Sequence, residues 1–145
     1  MKIKSLFNFF ALVVLFLAMV GCEKSDVATN NHNIVGCWIN PVYMDNVEGK
    51  LIYHYERSKK LTDNSGGIKF LYDGTLINRA NAGWCGTPPI TYSNFSGNWQ
   101  IQENGDIVID ATYWGGMSHV VWKIIGITNK ILTIEVLSQE YEMDL

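Results

Sequence analysis

The chain has 145 residues, with 11 Lys+Arg against 14 Asp+Glu, a formal charge of −3, and 48% hydrophobic residues. That length can bury the core of one domain and is too short for two. A mildly acidic balance without a basic cluster argues against nucleic acid as a partner and against an electrostatic grip on anionic lipid.

In chain order, the first element is a targeting signal. Lys2 and Lys4 form a positive n-region, and Leu6 to Val20 forms an apolar stretch of about 15 residues, short of the ~20 that a membrane span requires. Met19-Val20-Gly21-Cys22 resembles a bacterial lipobox, which implies cleavage after Gly21 and acylation of Cys22 with chains such as palmitate. The alternative is an uncleaved anchor, or an ordinary signal peptide with Cys22 free. Cleavage takes 21 of the 145 residues and leaves 124; Lys+Arg falls from 11 to 9 against 14 acids, a formal charge of −5. Each buried methylene of an acyl chain contributes about 0.8 kcal/mol, and stable anchoring requires more than one chain. Residues 22–33, polar from Glu23 to Asn33, read as a flexible tether, so the expected location is the bacterial envelope, lipid-anchored at the outer membrane. With Cys22 lipidated, Cys37 and Cys85 remain as an expected disulfide in an oxidising compartment. A loop of roughly 50 residues closed this way gains about 4 kcal/mol in the chain-entropy model. Two buried free thiols are the alternative. No histidine has ligand spacing to either cysteine, so neither a metal site nor a cofactor is expected.

From Ile34 onward the pattern has period two. Ile34–Ile39 reads as a strand stopped by Asn40-Pro41, and Leu51–Glu56 reads as a second. Ile68–Tyr72 and Thr75–Arg79 flank Asp73-Gly74, while Thr91–Gln102 and Asp106–Tyr113 flank Asn104-Gly105; both dipeptides are hairpin signals because they tolerate positive φ. His119–Ile125 and Ile131–Leu137 complete the set, and Gln139–Leu145 adds a last edge or frays. Eight short strands joined by local turns predict an all-β fold over residues 34–145: an antiparallel up-and-down meander closed into a small barrel, with a sandwich as the open alternative.

Gly36-Cys37-Trp38 at the first strand resembles the Gly-x-Trp of lipocalins. Phe70-Leu71-Tyr72-Asp73-Gly74-Thr75, Gly97-Asn98-Trp99 and Leu132-Thr133-Ile134 follow in the order seen in small bacterial lipocalin-like lipoproteins. The resemblance covers Ile34 to Leu137 and implies a barrel with a ligand site at its mouth. The sequence offers no evident counterpart of the arginine that packs on the first tryptophan in lipocalins.

Alternation assigns the faces. Trp38 points inward with Ile34 and Gly36, so Cys37 points out; Ile68, Phe70, Tyr72, Phe95, Gly97, Trp99 and Ile101 also point inward. Ile107, Ile109, Val120, Trp122, Ile124, Leu132, Ile134 and Val136 complete the interior. An eight-stranded interior is either just filled by side chains or holds one small ligand. With so many rings facing inward, the filled barrel is the expected state.

The loops are the candidate recognition elements. Trp84 lies in the long 80–89 segment beside Cys85, and Tyr113, Trp114 and Met117 form a second aromatic turn. Rigid loop aromatics stack on sugars or apolar ligands, or else they plug the barrel ends. No nucleophile, metal or phosphate-loop signature occurs, and His32, His54 and His119 stand apart from one another, so no catalytic residue is expected. The sequence thus points to a lipid-anchored binding protein for a small apolar or glycan ligand, with a scaffold for an envelope protein partner as the alternative. Cys22→Ser should move the protein from the membrane to the soluble fraction while leaving its circular dichroism unchanged.

Overall fold

The computed structural model describes residues 33–44, 49–83 and 89–143. Cys22, Trp84 and Cys85 lie outside the described residues. Eight strands are present: β1 (Gly36–Met44), β2 (Leu51–Ser58), β3 (Gly67–Phe70), β4 (Thr75–Asn81), β5 (Tyr92–Ile101), β6 (Ile107–Tyr113), β7 (Gly116–Ile127) and β8 (Ile131–Met143). They close into the expected antiparallel barrel, in the order β1-β2-β8-β7-β6-β5-β4-β3.

From β3 to β8 each strand pairs with the next in sequence. The β1–β2 hairpin closes the ring, with β1 pairing β3 and β2 pairing β8. The 59–66 connection therefore leaves β2 on one side of β1 and reaches β3 on the other. It runs on the outside, because Asp63 takes hydrogen bonds from Arg79, an outward residue of β4, and Gly66 O accepts from Asn40 N at 3.2 Å. The crossing accounts for Cys37. Its alternation is outward, opposite Trp38, yet it is only 4% exposed. Cys37 carries a free thiol and among the described residues no disulfide is seen, so the expected Cys37–Cys85 bridge is not present in this structure.

Local chemistry explains where the elements depart from simple alternation. Asn40-Pro41 bulges β1 instead of ending it: two residues stand opposite Tyr55 of β2, with Asn40 at φ 53°. Tyr72 was expected inside, but the Asp73-Gly74 turn begins right after Phe70 and leaves it 77% exposed. That turn is held by Thr75, which donates from N and Oγ1 to Asp73 Oδ1, and these bonds hold the carboxyl below its usual range. In β8 a bulge at Leu137 keeps the strand paired with β7 as far as Met143, so the polar end is a strand.

The N-terminal end of the barrel is sealed. Trp38 is fully buried and donates from Nε1 to Ile34 O at 2.6 Å. Arg57 of β2 lies over its ring at 4.3 Å and donates to Val35 O and Asn33 O at 2.9 and 2.7 Å. An arginine therefore does pack on Trp38, reaching it from the neighbouring strand. Gly36 (φ 128°) makes room for it, since a Cβ there would fall 2.6 Å from the guanidinium. Phe70 packs edge-on against Trp99 and Trp122 at 5.2 and 6.2 Å, and Trp99 Nε1 donates to Leu71 O at 3.0 Å. Trp38→Ala should lower the unfolding free energy by about 3–5 kcal/mol, read from the urea midpoint at constant m, whereas half-exposed Trp114→Ala should cost less than about 1 kcal/mol.

Candidate functional site

The opposite end of the barrel is not filled. One row of inward positions runs across five paired strands as Leu76, Gly97, Ala111, Ser118 and Tyr141. Its three middle members are small. Gly97 must be: a Cβ would lie 2.3 Å from Asp110 O and 2.8 Å from the Ala111 Cβ. Large residues below this row and small ones within it leave a cavity of about 410 Å³ in the half away from Trp38. Its floor is Trp122, whose ring meets Tyr55 at 5.6 Å, and Ile68, Ile109 and Val120 supply apolar wall. The expectation of a filled interior holds for the Trp38 half and fails here. The notable signal was Gly97-x-Trp99 followed by Ala111 and Ser118, but only the pairing register shows that the small residues share one row.

The polar lining is specific. Tyr53, Tyr55, Asn78, Ser118, Gln139 and Tyr141 face the cavity, and among the described residues no charged side chain lines it. Ser118 Oγ donates to Ala111 O at 3.0 Å, and Gln139 Nε2 donates to the Tyr141 hydroxyl. Burial pushes the Tyr55 phenol well above its ordinary pKa, with Tyr53 adding to the effect. Burial also raises Tyr141, partly offset by the bond from Gln139. The raised Tyr55 and Tyr141 phenols keep their protons as donors at neutral pH.

Above the cavity lies the rim. A second, more open depression of about 430 Å³ is lined by Ala80, Asn81, Tyr113, Trp114, Tyr141 and Met143. Ala80 and Tyr141 line both spaces and mark where they meet. Tyr113 stands edge-on to Trp114 and Tyr141 at 5.8 and 5.2 Å, and Trp114 is 43% exposed. Of the residues singled out from sequence, Tyr113 and Trp114 therefore meet at the mouth. Met117 does not: it alternates with inward Gly116 and Ser118 and lies on the outer wall. Asn81 pairs Tyr92 at this same end, so the loop that carries Trp84 starts from the rim. Tyr53, Tyr55, Asn78 and Tyr141 were not singled out, because isolated polar residues in strands give no local signal.

The wall is incomplete around this mouth. β3 pairs β1 only over residues 36–39, and β2 pairs β8 only up to Val136. Val42, Tyr43, Met44, Leu51, Leu137 and Met143 are all exposed there.

His119 is the remaining titratable feature. It is the cross-strand partner of Asp110, with Nδ1 2.6 Å from Oδ1, and both side chains are about half exposed on the outer wall. No group of three or more His, Cys, Asp or Glu that could hold a metal exists among the described residues. Comparison with family models, with curated proteins and with solved structures gives no match to this chain.

The Asp110 hydrogen bond, with Glu140 and Glu142 nearby, raises the His119 pKa above its ordinary value. A raised folded-state pKa stabilises the fold below the unfolded value, and the benefit is lost as pH climbs through the folded one. NMR titration of His119 should therefore give a pKa above that of a free histidine, and Asp110→Asn should return it toward the ordinary value.

Proposed function

We propose that this chain is a lipid-anchored envelope protein whose barrel captures one small ligand through its open end. The observation that carries this reading is a blind cavity of about 410 Å³, within the range of small-molecule sites and room for on the order of ten waters, beneath an aromatic rim. A cavity of that size is far beyond what a scaffold requires. Asn33, where the expected tether ends, lies beside Arg57 at the sealed end, so the attachment point and the mouth are at opposite ends of the barrel. The reading assigns no catalysis, and the His119–Asp110 pair lies on the outer face of the wall, turned away from the cavity.

A second reading, a scaffold for an envelope protein, draws on the upper part of β8. Among the described residues, β8 beyond Val136 has β7 as its one strand partner, leaving an edge to which an extended peptide can add. The two readings separate in one experiment. N-phenyl-1-naphthylamine, a neutral fluorescent probe, should bind the Cys22→Ser chain saturably with one-to-one stoichiometry. Ala80→Trp, which fills the junction between rim and cavity, should weaken it at least tenfold while the melting temperature moves by only a few degrees. Absence of saturable binding in the parent protein leaves the scaffold reading in place.

A further inference from the structure

The polar atoms in the cavity define the chemistry of what it takes. Tyr53 and Tyr55 come from alternate positions of β2, and Asn78 projects from β4 across the cavity. Tyr141 closes the top. Among the described residues the Tyr53 and Tyr55 hydroxyls and the Asn78 amide have no hydrogen-bond partner. The Tyr141 hydroxyl accepts from Gln139, which leaves its own proton to donate. Ser118 has already spent its proton on Ala111 O. These groups therefore have protons left to donate to a ligand, and they line one space with Trp122 as its aromatic floor and Ile68, Ile109 and Val120 as walls.

We infer that the cavity is selective for a neutral, flat, ring-bearing molecule whose carbonyl oxygens accept hydrogen bonds from Tyr53, Tyr55 and Asn78: the ketone, quinone or lactone class. This rests on the binding reading above and narrows it. A carboxylate would also accept those bonds, but it would lose its hydration in a space with no cation among the described lining residues. A hydroxyl-rich sugar would bring more donors than Asn78 Oδ1, Gln139 Oε1 and the hydroxyl oxygens can accept, and would set the rest against Ile68, Ile109, Val120 and Trp122. A plain hydrocarbon would fill the apolar walls and strand the phenols, leaving each desolvated donor unmatched.

Three rigid probes built on one tricyclic ring system test the inference: 9-fluorenone, fluorene and 9-fluorenone-4-carboxylate, each displacing N-phenyl-1-naphthylamine from the Cys22→Ser chain. The expected order is fluorenone at least tenfold tighter than fluorene, with the carboxylate weakest. Tyr55→Phe and Tyr53→Phe keep the ring and the fold; each should cut fluorenone affinity about fivefold or more while leaving fluorene within twofold. If N-phenyl-1-naphthylamine itself fails to bind, the binding reading falls and this inference falls with it. If the dye binds but fluorene or the carboxylate competes as well as fluorenone, or none of the three competes, the cavity binds ligands and the carbonyl class is wrong. Equal losses for fluorene and fluorenone in the Tyr→Phe variants would likewise overturn it, because the phenols would then be acting through shape alone.

Discussion

The structure depends on how Trp38 is held. A tryptophan at the end of a barrel must satisfy its indole N–H and cover both ring faces, or it becomes a leak in the core. Here the N–H is taken by Ile34 O, and the outer ring face is covered by the Arg57 guanidinium, itself fixed by Val35 O and Asn33 O. A cation over an indole contributes roughly 0.5–2 kcal/mol, and the two carbonyl bonds add direction to it. The same five residues join the incoming chain, β1 and β2 into one plug. Because β2 belongs to the hairpin that closes the ring between β8 and β3, sealing this end and closing the barrel are a single event.

A sealed base gives the small-residue row its effect. Gly97, Ala111 and Ser118 would be unremarkable in an open sheet, where solvent fills whatever they leave. In a closed barrel with a packed lower half, they create volume that the opposite wall cannot collapse into. Strand pairing on both sides fixes the backbone, and Gly97 already lies against the β6 backbone as closely as contact allows. The large rings are displaced to the floor and the rim, with Trp122 below and Tyr113, Trp114 and Tyr141 above.

Charge is partitioned across the same wall. On β6 and β7, Asp110 and His119 alternate outward while Ile109, Ala111, Ser118 and Val120 alternate inward. The titratable groups thus lie in water, where pairing them is worth little, and the interior keeps neutral donors that remain protonated. A space of that kind discriminates by hydrogen-bond matching, because a mismatched ligand strands desolvated donors and a charged one lacks a counter-ion.

Alternation, together with Asp73-Gly74 and Asn104-Gly105, is enough to determine an all-β chain of about eight strands with Trp38, Phe70, Trp99 and Trp122 inside. These features are local: a pleat has period two, and a tight turn needs residues that accept positive φ. The same local rules miss Tyr72, where a turn starts one residue before the alternation would carry it inward. They also miss Cys37, which is buried by a connection passing over the outer face. Only the tertiary structure decided that β1 lies between β2 and β3, that Arg57 caps Trp38, and that the row of Gly97, Ala111 and Ser118 lies across the barrel from Tyr53 and Tyr55 of β2. The placement of β1 and of β2 against that row depends on the β1–β3 and β2–β8 pairings, which close the ring between strands not consecutive in sequence, a constraint that no short segment of the chain contains.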